Sequence, residues 1–189
     1  MNFNEYRKLT GNTMSDTGKR VTDSTHMTLG LNTEIMGELP EAIVSGDLVN
    51  FKEELGDAFW YLSNYMNLWD ITTPEIERLP EEMWAAAKLD GKSGDQFMLI
   101  FSIGQLIATL QDIDKKDLAY GKEGNWDERV RIITDIYGML ESMAYLFGVD
   151  LDKVRATNIE KLQARYPDKF TQESAINRDL DAERAILEK

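Results

Sequence analysis

Acidic residues recur at helical spacing early in the chain. Glu34, Glu38 and Glu41 stand at i, i+4 and i+7, so a helix places all three on one face. Glu54 and Asp57 stand at i and i+3 on the next segment of helical pattern. Carboxylates that face one another across packed helices repel, and apolar neighbours such as Leu31, Ile35, Leu55 and Phe59 withdraw the water that would screen them. A divalent cation compensates such a cluster. Oxygen donors without histidine or cysteine select Mg2+, with Mn2+ as the other option, over zinc. The same spacings also arise on solvated faces of acidic helices, since 34 of the 189 side chains are Asp or Glu.

For these acids to meet, two helices must pack as an antiparallel hairpin, and the apolar pattern supplies one. Apolar residues recur at three and four spacings through most of the length, which predicts an all-α chain. A first long helix is expected over residues 25–45, ending near Gly46, with Asp47 capping a second over 48–69 that carries Phe51, Leu55, Phe59, Leu62 and Met66 on one stripe. Upstream, a short helix over 3–10 precedes an irregular polar segment. Pro74 and Pro80 read as first-turn prolines of two short helices over 74–89, before the loop at 90–94. The pattern then restarts, with helices over 96–113 and 126–147 joined by a polar connection at 115–125. A last pair, 151–165 and 173–188, flanks Tyr166-Pro167.

The two hairpins read as a weak internal repeat, although any two amphipathic hairpins share much of this pattern. Asp47-Leu48 before Glu54 to Leu62 matches Asp117-Leu118 before Ile132 to Leu140. In that register Ile132 replaces Glu54, Asp135 replaces Asp57, and Gly104, Gln105 and Ala108 stand opposite the first-helix acids. The expected architecture is one all-α domain over residues 1–189, a bundle of two tandem hairpins forming a pseudo-dimer: an acidic hairpin at about 25–70, a second without the acidic set at about 95–148, and C-terminal helices at about 151–188.

Composition narrows the partners. With 21 basic side chains and a net charge of -13, the chain lacks the basic face that would neutralise duplex phosphates, so nucleic acid is not expected as a partner. The absence of cysteine excludes a disulfide framework, a zinc ribbon and a cysteine nucleophile. Met1-Asn2-Phe3-Asn4-Glu5 is polar, and the longest apolar stretch, 97–110, is interrupted by Ser102, Gly104, Gln105 and Thr109. The expectation is a soluble, cytoplasmic protein without a membrane span.

The wording around the acids adds a resemblance. Gly30-Leu31-Asn32-Thr33-Glu34, Gly37-Glu38-Leu39 and Glu53-Glu54-Leu55-Gly56-Asp57-Ala58-Phe59-Trp60-Tyr61-Leu62 resemble the MazG-like all-α nucleoside triphosphate pyrophosphohydrolases, the superfamily that also holds the dimeric dUTPases. The run Asn158 to Leu162, then Arg165-Tyr166-Pro167, Phe170, Asn177-Arg178-Asp179 and Glu183-Arg184, resembles the tail of phage and bacterial members. The family signature is ExxE, a spacer, then ExxD. Here Glu34 and Glu38 are four apart, with Ile35 at the expected ligand position. Either a π-bulge at Ile35-Met36 absorbs one extra residue, which Pro40 favours because its ring rejects the Met36 carbonyl, or Glu38 and Glu41 form the ExxE and Glu34 supports them from behind.

The resemblance implies hydrolysis of a nucleoside triphosphate to the monophosphate and pyrophosphate, with Glu34, Glu38, Glu54 and Asp57 holding Mg2+ and with Glu53 or Glu41 accepting the proton of the attacking water. Asn158, Lys161 and Arg165 share a helix face and resemble positions that hold the triphosphate; Lys52 is a candidate phosphate contact, and His26, the only histidine, could meet the base or ribose. Trp60, Tyr61, Tyr65 and Trp69 are candidates for stacking a base, although most must serve the core. Short members assemble, so a homodimer is expected. Two other readings remain open at this point. One is a non-catalytic acidic module for nucleotide sensing or protein interaction; the other is a nucleic-acid mimic that blocks a basic site by its charge.

Overall fold

The computed structural model describes residues 1–72 and 94–189. The short helices expected over 74–89, with Pro74 and Pro80, and the loop at 90–93 lie outside the described residues. Among the described residues the chain is helical with no strand.

Local sequence sets most boundaries. Helix α1, Phe3–Thr10, starts at a reciprocal cap in which Asn2 accepts the Glu5 N–H and Glu5 accepts the Asn2 N–H. Helix α2, Arg20–Thr33, runs through a π-turn, Glu34–Glu38, into α3, Leu39–Ser45, as one rod. That rod stops at Gly46, whose φ of 71° is the left-handed conformation glycine adopts without cost. The Asp47 carboxylate accepts the Val49 and Asn50 N–H groups and starts α4, Leu48–Leu68. Helix α5, Asp95–Tyr120, ends at Gly121, and Asn125 caps α6, Trp126–Leu146. Asp150 caps α7, Leu151–Arg165; α8, Gln172–Ile176, and α9, Leu180–Leu187, close the chain.

The rod α2–α3, α4, α5 and α6 pack around a shared core of Met27, Leu31, Leu55, Phe59, Leu62, Ile103, Ile107, Ile133, Ile136 and Leu140. Each such fully buried side chain contributes about 1.5–3 kcal/mol relative to exposure. Helices α1 and α7 pack on α4 and on each other, Phe3 of α1 joining this core against Phe59 and Tyr137, and α9 lies along α7.

Three segments differ from the sequence expectation. Helix α2 begins five residues earlier, at Arg20, because Asp23 in its first turn accepts the backbone and hydroxyl hydrogens of Thr17 and closes that end. The polar connection expected from residue 115 is helical to Tyr120. Asp112 pairs with Lys115 and Lys116 on its surface, while Asp114 and Asp117 are held by the fully buried Arg129. Arg129 also donates to the Tyr65 hydroxyl and lies over the Trp69 ring, which ties this turn to α4. The last helix divides at Asn177, where Asp179 caps a new start. Extended to 26 residues, α5 is long and apolar enough by composition to cross a membrane, a test that bundle helices also pass; here it packs against α2 and α6.

Candidate active site

The π-turn sets the first carboxylate. The Leu39 N–H reaches back to the Glu34 carbonyl, a five-residue bond, and Pro40 brings no N–H to the same turn. One extra residue is thus absorbed between Glu34 and Glu38. Glu34 is 9% exposed, whereas Met36, Gly37, Glu38 and Glu41 are exposed. Gly30, one turn before Glu34, lets α2 approach α4: a Cβ there would lie 2.1 Å from the Tyr61 ring.

Four carboxylates gather where α2, α4 and α7 meet. Glu34 and Glu54 lie within hydrogen-bond reach of each other, and the charges of Asp57 and Glu53 lie close by. Burial first, then the Asp57 charge, pushes Glu34 up to about 9. Burial also raises Glu54, to about 7, against the opposing effect of the Glu34 hydrogen bond. One Glu34 oxygen, Oε2, is buried with no partner. Across from this pair, fully buried Lys161 donates to both Asp57 oxygens at 2.8 and 2.7 Å and to Glu53 at 3.1 Å. Burial disfavours its charge, but the two carboxylates hold the ammonium above its ordinary value. Asn158 donates to Asp57 at 2.6 Å and accepts the Tyr6 hydroxyl at 2.7 Å; Tyr6 also reaches the Gly56 carbonyl. At Gly56 an added Cβ would meet Asn158 at 3.1 Å, so the glycine lets α7 seat its amide against Asp57.

Beside Asp57 opens a cavity of about 200 Å3 walled by His26, Trp60, Tyr61, Arg165, Tyr166 and Phe170. His26 is exposed at its mouth, edge-on to Tyr61 and 3.4 Å from the Ser15 hydroxyl. Trp60 is turned by a hydrogen bond to Thr13. Of the other aromatics, Tyr65 is buried and Trp69 is packed against Arg129, away from this cavity. A second cavity, about 340 Å3, lies on the far side of Glu53 and Asn158 and is lined by Lys52 and Lys153.

The structure thus brings together Glu34, Glu53, Glu54, Asp57, Asn158 and Lys161, and places Arg165 and His26 along an adjoining cavity. It leaves Glu38 and Glu41 facing solvent and Lys52 on the other side of Glu53. Among the described residues, no three Asp, Glu or His side chains stand close enough to hold an ion as placed. The donors nonetheless suit a hard divalent cation: they are all oxygen, two of them belong to neighbouring carboxyl groups, and one oxygen is buried without a partner. Sequence reasoning missed Tyr6, which lies 50 residues from Gly56 and 152 from Asn158, and the role of Glu183 as partner of Arg165. Only the burial-prone face of α1 hinted at Tyr6.

The chain matches no protein-family model, no curated protein and no solved structure.

Proposed function

We propose that the chain is a Mg2+-dependent nucleoside triphosphate pyrophosphohydrolase of the MazG-like kind, converting a (d)NTP to the monophosphate and pyrophosphate. The observation that carries this is the cluster of buried Glu34 and half-buried Glu54 beside Asp57, which itself borders an aromatic-walled cavity. The π-turn at the one-residue departure from the ExxE spacing is consistent with an insertion into that signature.

Tandem organisation is supported by matching hairpins. From Asp47 to Asn125, the two N-caps, is 78 residues, as it is from Glu54 to Ile132; α4 and α6 are both 21 residues long. The rod α2–α3 has 14, 5 and 7 residues, the 26 of α5, and both end at a left-handed glycine. Ile132 is fully buried, so the second hairpin serves as a wall where the first serves as a ligand set.

In this mechanism Glu34, Glu54 and Asp57 would hold the metal, and Glu38, exposed at the end of the π-turn, would complete the signature's set from the solvent side. A bound Mg2+ supplies charge neutralisation of the phosphates and acidifies a water. Glu53, or Glu41 from the first rod, would receive the proton of the attacking water; Glu53 stands nearer the cluster, in contact with Lys161 beside Asp57. Lys161 and Asn158 hold the Asp57 carboxylate in orientation, and Trp60 and Tyr61 offer faces to a base. Arg165 and His26 stand at the cavity for the phosphates and sugar, and Lys52 serves a phosphate from the Glu53 side. A homodimer and a cytoplasmic setting belong to the same proposal. The test is pyrophosphate release from a panel of dNTPs with Mg2+, comparing the native chain with Glu54→Gln; no release from any of them rejects it.

A second reading, a nucleotide-sensing module without turnover, draws on Lys161, whose ammonium already occupies Asp57 and Glu53. Metal-dependent nucleotide binding with no pyrophosphate produced would favour it.

A further inference from the structure

The tail of the chain carries an arginine pair closed around an internal anion. Arg165 donates from Nε and Nη2 to the two oxygens of Glu183 at 2.8 and 2.6 Å, and Arg178 adds a third bond at 2.7 Å. Glu183 is 4% exposed, and it is the one buried side chain of α9; α8 has none. Leu180 is 63% exposed and Ile186 and Leu187 are half-buried, so the segment is seated by an ionic key more than by an apolar face. Its other polar ties to the rest of the fold are peripheral: Arg184 to Asp47 at 3.8 Å, Lys153 Nζ to the Lys189 carbonyl at 3.4 Å and Phe170 N–H to the Asn12 carbonyl at 3.3 Å. Arg165, the inner member of the pair, also lines the cavity that Asp57 borders.

We infer that Arg165 and Arg178 form an anion-binding site which the chain's own Glu183 fills at rest, and which a phosphate group of a polyphosphate ligand takes over, releasing α9 from its seat along α7. Two guanidinium groups converging on one carboxylate present the forked donor geometry that also fits phosphate oxygens, and a polyphosphate brings more charge and more acceptors than a single carboxylate. Glu183 holds the site because it is tethered: a linked group competes at an effective concentration of order millimolar. The identity of the natural ligand as a nucleoside triphosphate rests on the hydrolase proposal; the exchange itself does not.

The experiment uses the full chain and inorganic pyrophosphate in the presence of a chelator, read by titration calorimetry. Glu183→Gln is expected to bind pyrophosphate about tenfold more tightly than the native chain, because the tethered competitor is gone. Adding Arg178→Gln to that variant should remove the gain. Glu188→Gln, which deletes an exposed charge just past the end of that helix, should change affinity by less than about twofold, since exposed charges act weakly through water. Equal or weaker binding by Glu183→Gln overturns the inference, because Glu183 would then be organising Arg165 instead of competing for it. Hydrogen exchange on the native chain covers a variant that fails to fold. Pyrophosphate should speed exchange of the 180–187 amides while sodium chloride at equal ionic strength does not, and unchanged or slowed exchange overturns the inference. Exchange without dNTP hydrolysis would sink the hydrolase proposal alone; hydrolysis without exchange would sink this inference alone.

Discussion

Mg2+ binding should expel protons, and the number expelled should depend on pH. Burial and the neighbouring carboxylates push Glu34 up to about 9 and Glu54 up to about 7. A cation that takes both carboxylates needs both ionised, and the doubly ionised fraction rises from about 10^-4 at about pH 6 to about 10^-1 at about pH 8, a gain of about 10^3 in apparent affinity. If Glu34 keeps its proton and Glu54 alone binds, the gain over the same interval is only about tenfold. Calorimetry in buffers of different ionisation enthalpy counts the protons: about two per Mg2+ at about pH 6, falling to about one at about pH 8. Glu34→Gln should lower the count by about one and flatten the pH dependence. The same shifts fix the sign for stability. Both carboxyls are raised above their unfolded value, so their contribution is fully present below about pH 4.5 and is lost as pH rises through 7 and then 9. Metal-free protein should therefore melt lower at alkaline pH, and Mg2+ should restore the difference. Equal Mg2+ affinity at both pH values with no proton release would refute the reasoning, as would Glu34→Gln binding the ion like the native chain.

Other substitutions probe separate links. Lys161→Met leaves Asp57 and Glu53 without their buried partner; breaking such a pair costs about 3–5 kcal/mol, and the partial exposure of both carboxylates brings this nearer about 2–3. Thermal melts should show that loss, and Mg2+ should recover more of it than in the native chain. Gly30→Ala should push the Tyr61 ring toward the aromatic cavity at a cost of about 1 kcal/mol, raising KM for a nucleotide more than it lowers kcat. Arg129→Met strands Asp114 and Asp117, and its melting temperature should fall by about 10 °C, while dNTP hydrolysis at low temperature stays near native.

What could be read along the chain was local. Helix starts at Asp47 and Asp150, the stop at Gly46, the stripe on α4 and the widened turn between Glu34 and Pro40 all follow from residues within a turn or two of one another. The bounds of α7 are the expected ones for that reason. The start of α2 and the extension of α5 escaped the pattern because Thr17–Asp23 and Arg129–Asp114 bonds overrode local polarity.

The acids could be nominated but not sorted. Glu34, Glu38 and Glu41 are indistinguishable by type and spacing; only the packing of α2 against α4 buries the first and leaves the others in water. Likewise the helix face of Asn158, Lys161 and Arg165 was evident, whereas their partners were not: Lys161 is spent on Asp57 and Glu53, and Arg165 on a carboxylate 18 residues downstream. Periodicity decides which side of a helix is apolar, because that depends on the helix alone. Which charge meets which, and how far water is excluded from the meeting, depends on two or three helices at once, and so was decided only when the chain folded.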